Sequence, residues 1–279
     1  MNIILSRKGF DSTSLGGGKA NWMYKNKLYP IPIPENGTGV KYSDIRFSEN
    51  KSYLDVMIDL KITQYTECHL DPNLGFISTK KNEKFWKNCL GQAGNSNQSL
   101  KNTNTASGAI FLFFGWFREI IKDKNGKFKY LKKLDYPTGK HIIYGYMEVE
   151  KRIDLNKDKF DDKHPHVIFK GSRYPDSNSI YLAREKCSFD KTINGSGVFN
   201  FNESLVLTEK GKSRSNWKLP ERVSNSINKE TKYLYSLMDN QEIKDGRIKF
   251  NTQGQEIIFE NANKKIIEWS REIIKNNHT

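Results

Sequence analysis

The apolar run Ala109–Phe117, entered from Gly108, constrains this chain more than any other segment. It is far short of the roughly 20 residues that cross a bilayer. It is also apolar at nearly every position, where a half-exposed strand would alternate. A continuous run of this kind suits a central strand covered on both faces, so the chain must build layers on either side of it. The opening residues Ile3–Ile4–Leu5–Ser6–Arg7 read as a second short buried strand that enters a loop rich in glycine (Gly9, Gly16, Gly17, Gly18).

Further elements follow from period and punctuation. Tyr29–Pro30–Ile31–Pro32–Ile33–Pro34 is extended, because each proline disfavours helix in the residue before it. Between Tyr53 and Thr63, Leu54, Val56, Ile58, Leu60 and Ile62 alternate with other residues, which predicts a strand, with helix as the alternative. A short helix is expected over 85–90 and a polar loop over 92–105. Strands are expected over 141–150, 167–170, 180–184 and 205–208. The stretches 222–239 and 260–275 have helical spacing, with Ile266, Ile267, Trp269, Ile273 and Ile274 able to share a face. The later strands leave no room for long crossover helices, so part of the sheet is antiparallel. The expected fold is α/β with α+β character: a central mixed sheet with flanking and C-terminal helices, in a single domain over residues 1–279.

Charge narrows the partners. The chain of 279 residues carries 46 Lys and Arg against 32 Asp and Glu, a net +14. An AT-rich genome also favours lysine, but a surplus of this size sets up a field that polyanions feel. Nucleic acid is the first expectation. No basic amphipathic helix supports a membrane surface, and no protein partner is inferred. Arg7 and Lys8 interrupt the only early apolar stretch, so no signal peptide is read. Cys68, Cys89 and Cys187 are odd in number and widely spaced, which fits a reducing cytoplasm and no disulfide framework.

Several chemistries lack their motif. No GxxxxGK[ST] loop is present; Gly16–Gly17–Gly18–Lys19 is followed by Ala20 where Ser or Thr would stand. There is no GxGxxG fingerprint after a strand, no GxSxG elbow and no HxE…PCxxC deaminase pattern. No cofactor is expected. His164–Pro165–His166, preceded by Asp161 and Asp162, offers the types of a metal site, or a turn whose histidine caps or binds a phosphate. The second reading is preferred, and no metal is assigned.

Motifs spread along the chain carry a resemblance. They are Ile4–Leu5–Ser6–Arg7–Lys8–Gly9–Phe10–Asp11–Ser12, His69–Leu70–Asp71–Pro72, Gly91–Gln92–Ala93–Gly94 and Leu112–Phe113–Phe114–Gly115–Trp116–Phe117–Arg118. His164–Pro165–His166, Arg214–Ser215 with Trp217, Leu219–Pro220 and Gly254–Gln255–Glu256 near Trp269 follow in order. Together they resemble the nucleotide modification associated domain family, third of its series. The segment from Thr13 to Tyr29 departs from the family pattern with extra Gly, Lys and Trp22. The resemblance implies a link to modified bases in phage and bacterial defence systems, and leaves open whether the protein makes a modified base, removes one or cuts DNA that contains one.

The candidate residues divide by role. Asp11, Asp71 and Asp44 are candidate acids, with His69 assisting Asp71 two residues away; Asp71 also suits a plain cap at Pro72. Arg7, Lys8, Arg118, His166 and Arg214 are expected to hold phosphates. Gln92, Trp116 and Trp217 are expected to read or stack on a base, with core packing the alternative for Trp116. The leading expectation is a DNA glycosylase that hydrolyses the N-glycosidic bond of a hydroxymethylated or glucosylated cytosine in double-stranded phage DNA. Such a reaction needs an acid, a positioned water and phosphate clamps, and no nucleotide cofactor. The rivals are a metal-dependent nuclease using Asp11, Asp44 or Asp71, and a non-enzymatic reader of modified DNA.

Overall fold

A computed structural model describes residues 1–10, 19–81, 83–174, 176–234, 246–249 and 256–278. Its main sheet uses β1 (Ile3–Arg7), β2 (Asn21–Tyr24), β3 (Lys27–Tyr29), β4 (Cys89–Gln92), β5 (Ile110–Lys122), β6 (Lys140–Asp154), β7 (Ser179–Ala183), β8 (Thr231–Leu234) and β9 (Glu256–Phe259). The helices are α1 (Tyr53–Asp59), α2 (Gly94–Asn102), α3 (Pro165–Ile168), α4 (Glu221–Glu230) and α5 (Lys264–Asn277). The main path runs β8-β9-β1-β5-β6-β7-β4, with the β2–β3 hairpin against the far half of β5. β1 lies parallel to β5 and antiparallel to β9, and the other joins of the path are antiparallel. The fold is therefore mixed α/β, with the apolar run at its centre as expected. Ile110–Phe113 are fully buried. α5 lays Ile266, Trp269, Ile273 and Ile274 on the same core, while Ile267 is only partly covered.

Strand β6 shapes the site. Its first half pairs with β5 and its second half with β7, and its register breaks between Ile143 and Gly145 and again between Val149 and Lys151. Such irregularities bend a strand. The sheet curls, and Gln92 at the β4 edge reaches Glu256 of β9, although four strands separate them along the path. A second apolar cluster fills the excursion between β3 and β4, built on Trp22, Tyr42, Tyr53, Val56 and Leu70 and packed against Ile120 and Ile153.

Several local expectations are corrected. Residues 53–59 form helix α1, not a strand. Ser52 Oγ accepts from Asp55 N–H and the Asp55 carboxylate accepts from Ser52 N–H, a capping box that outweighs the alternation. Tyr53, Val56 and Met57 face inward at helical spacing, while Ile58 of the supposed apolar face is exposed. The polar stretch after Gln92 is helix α2: Leu100 is buried, and buried Asn97 donates to Ser179 Oγ and accepts from the Tyr181 hydroxyl. Residues 85–88 have no helical turn, and Leu90 sits in β4. Residues 165–168 form helix α3, because Pro165 occupies its first turn and His164 caps it. Residues 205–208 contribute isolated bridges beside a 3-10 turn. α4 ends at Glu230, and the rest of the expected helix beyond Leu234 falls on residues up to 239 that lie outside the described ones. Among the described residues no helix is long and apolar enough to cross a membrane.

Candidate active site: a histidine–carboxylate centre beside a cationic groove

Asp71 is the hub of the site. One carboxylate oxygen accepts the Gly91 N–H at 2.7 Å. Three imidazoles surround it: His69 Nε2 at 4.0 Å, His164 Nε2 at 3.8 Å and His166 Nε2 at 3.8 Å. These separations are too long for hydrogen bonds. Burial opposes ionisation of Asp71, but His164 beside it, with His69 and His166, outweighs burial and holds the carboxyl below the ordinary range.

The chain places each ring by a local device. His69 ends the short strand Cys68–His69, which pairs with Ile33–Pro34, so Glu35 follows directly alongside. Glu35 Oε2 then meets His69 Nδ1 at 2.8 Å. Arg173 and the Tyr174 hydroxyl also donate to Glu35. Burial alone would raise the Glu35 carboxyl, but His69, Arg173 and Tyr174 together bring it down to about 2. His164 caps α3, its Nδ1 accepting from His166 N–H at 3.2 Å. His166 Nδ1 meets Asn178 Oδ1 at 2.7 Å, and Asn178 Nδ2 returns a bond to the His166 carbonyl, which fixes the amide orientation. The His166 ring also stacks on Tyr174, with centroids 3.8 Å apart. Burial pushes His166 down to about 3 and lowers His164 as well. Gly91 makes the close approach possible: a Cβ there would lie 2.6 Å from both His164 Cε1 and His166 Cδ2.

A groove of about 610 Å³ adjoins this centre. Arg46, Lys80, Lys81, Lys84 and Lys87 line it against Glu83, together with Phe76, Phe85 and Trp86. Trp86 belongs to both places, its ring centroid 5.2 Å from that of His164 and 6.2 Å from that of His69. Cations interleaved with rings suit a nucleic-acid strand and its bases.

A second polar knot lies on the other face of β4. Gly91 addresses the histidines, so its neighbour Gln92 projects the opposite way. Gln92 Nε2 donates to Glu256 Oε1 at 2.8 Å, Ser6 Oγ donates to the same atom at 3.2 Å, and Lys8 Nζ pairs with it at 3.4 Å. All four residues are buried, and Glu256 Oε2 has no partner among the described residues.

The expected site residues therefore scatter. His69, Asp71 and His166 converge, with His166 packed around a carboxylate instead of holding a phosphate. Lys8 and Gln92 converge on Glu256, so Gln92 does not present its amide N–H to a base. Asp44 accepts from Lys41 N–H and pairs with Lys80, a turn-capping and surface role. Trp116 is buried, donates to the Thr138 carbonyl and carries the Arg214 guanidinium 4.2 Å over its ring. Arg118 lies over the Tyr130 ring at 4.6 Å. Trp217 cannot stack on a base: it is 1% exposed, packs edge-on against Phe114 and donates to His141 Nδ1. Arg7 is half-buried at the end of β1. Asp11 lies outside the described residues. Asp161 and Asp162 do not join the histidines; Asp162 instead accepts from His164 N–H. Sequence reasoning missed Glu35, Asn178, Trp86 and Glu256 as site residues. Glu256 alone carried a signal, standing in the Gly254–Gln255–Glu256 motif.

Fold and site together define a curled mixed α/β protein whose buried histidine–carboxylate centre adjoins a cationic, aromatic groove. The chain matches the family described as nucleotide modification associated domain 3 over residues 2–260, and it belongs to that family. Membership ties it to nucleotide modification and bears out the resemblance of its motifs. No curated protein and no solved structure matches the chain.

Proposed function

We propose that the protein is a DNA glycosylase that removes a modified cytosine, hydroxymethylated or glucosylated, from double-stranded phage DNA. The observation that supports this most is the buried Asp71 carboxyl, ringed by three imidazoles beside the groove that Trp86 shares with it. In this reading the groove cations hold backbone phosphates and the aromatic rings receive the flipped nucleotide, offsetting an unstacking cost of a few kcal/mol. A water held at the Asp71 centre adds to the sugar C1′, the C1′–N bond breaks, and the proton lost by that water ends on the departing base. A buried carboxylate that stays ionised suits both tasks of the step, orienting water and stabilising the sugar cation.

The test is incubation with phage DNA carrying glucosylated hydroxymethylcytosine, followed by mass spectrometry of small products and alkali treatment of the DNA. Free modified base with alkali-dependent breaks is the expected result. Asp71→Asn should lower release by at least a hundredfold while gel-shift binding persists, in line with the 10²–10⁴-fold range for acid–base groups. Strand breaks without free base would replace this reading with a nuclease, and binding with intact DNA would replace it with a reader.

A further inference from the structure

The centre around Asp71 has the features of a metal site as well as those of a bare carboxylate. His69, Asp71 and His166 each offer one ligand atom, and these atoms lie within 4.8 Å of one another. Metal–ligand bonds of about 2.1 Å place neighbouring ligands roughly 3.0–3.5 Å apart, so the two histidine–aspartate spacings of 4.0 and 3.8 Å close with a contraction of roughly 0.3–1 Å, and the histidine–histidine spacing, within 4.8 Å, with one of up to ~2 Å.

Hydrogen bonds on the far side of each ring decide which nitrogens are donors to a metal. Glu35 accepts the Nδ1 proton of His69, and Asn178 Oδ1 accepts the Nδ1 proton of His166. In both rings Nε2 is therefore the nitrogen left facing Asp71 and open to a metal. A carboxylate or carbonyl behind a ligating imidazole is the usual outer support of such sites. His69 Nε2 is fully buried and has no hydrogen-bond partner among the described residues, a costly arrangement unless something fills the space before it. His164 is different. Its Nδ1 accepts a backbone N–H, so its proton sits on Nε2, which is 3.8 Å from Asp71. That nitrogen is buried without a hydrogen-bond partner among the described residues, and because it carries the proton His164 is not counted among the ligands. The Gly91 cradle holds both rings of the α3 turn against β4.

We infer that His69 Nε2, Asp71 and His166 Nε2 bind one divalent first-row transition-metal ion. Two imidazoles favour such an ion over magnesium or calcium, which take oxygen ligands. Three protein ligands leave positions open, as in catalytic sites, where bound water is acidified to a pKa of about 7. The inference does not require the glycosylase reading; where both hold, the metal carries the water that attacks C1′.

The test reads binding, so it stands or falls apart from base release. Purified full-length protein is stripped with chelator and titrated with Co²⁺, followed by visible absorption, and with Zn²⁺, followed by calorimetry and elemental analysis. One ion per chain is expected, with Mg²⁺ failing to compete at a hundredfold excess. His69→Gln and His166→Gln should each abolish stoichiometric binding, and His164→Gln should retain it. Glu35→Gln should weaken affinity 10–100-fold, the range for outer-shell supports. Circular dichroism establishes that each variant is folded, and wild-type titration decides the matter if a variant is not. Absence of stoichiometric Co²⁺ and Zn²⁺ binding by the wild type would overturn the inference, as would unchanged binding in folded His69→Gln and His166→Gln.

Discussion

Asn21 is a single buried amide that ties three segments together, and its loss should be among the costliest single changes outside the site. Its Oδ1 accepts from Phe10 N–H at 3.1 Å and Ile31 N–H at 2.7 Å. Its Nδ2 donates to the Phe10 and Trp116 carbonyls at 3.1 and 2.9 Å. Two glycines make room: a Cβ at Gly9 would lie 2.7 Å from Oδ1, and one at Gly115 would lie 2.9 Å from Nδ2. In Asn21→Ala the Phe10 N–H keeps a second acceptor at the Ile31 carbonyl. Ile31 N–H, Phe10 C=O and Trp116 C=O each lose a bond. A buried polar group left unpaired costs ~1–3 kcal/mol, so the three together, with some relaxation, cost about 4 kcal/mol. At this chain size that lowers Tm by on the order of 10 °C. Asn21→Asp keeps both acceptor bonds but turns an anionic oxygen toward two carbonyls, and it should cost at least as much at neutral pH. Urea and thermal unfolding followed by circular dichroism measure both. A cost under about 1 kcal/mol for Ala, or a tolerated Asp, would refute the reasoning.

Two further expectations concern other glycines and histidines. Gly91→Ala puts a methyl 2.6 Å from two imidazole atoms, so β4 must retreat and its N–H must leave Asp71. The variant should stay folded by circular dichroism and lose its Co²⁺ absorption, and an unchanged spectrum would contradict the cradle. His141 is held well below its ordinary range by burial and by the charges of Arg7 and Arg214. The unfolded chain therefore takes up this proton more readily, and stability should be level above pH ~6.5 and fall by up to about 1.4 kcal/mol per unit below it. Urea midpoints in wild type and His141→Gln report it, with a flatter acid limb expected in the variant.

Which parts were readable in the sequence follows from the range of each interaction. The run through Phe111 and Phe113 announced a central strand, because burial on both faces leaves a mark in every residue. α1 deceived by its alternation, while Ser52 and Asp55, only three residues apart, held the better signal. α2 could not be seen by periodicity, since its inward face is an asparagine network with Leu100 as the apolar anchor. At the site, His164 and His166 stood out as a pair and His69 with Asp71 as another. Nothing local indicated that the curl of β6 and the α3 turn bring the pairs together, or that Gly91 makes room for the rings. Trp217 looked available beside Lys210, Lys212 and Arg214, but its N–H is matched by His141, whose distance in sequence hid the partner.

The join between β1 and β9 also sets an order on the life of the molecule. Ser6 and Glu256, paired across it, are 250 residues apart, so at ~5–20 residues/s a ribosome needs roughly 12–50 s to deliver the second after the first. Throughout that interval Lys8, joined in its later part by Gln92, waits without its carboxylate, and one edge of β1 stays open. The knot on the far face of β4 is thus a seal that only a chain translated through β9 can close, and any shorter product leaves a buried ammonium with no counterion and a central sheet without its last neighbour.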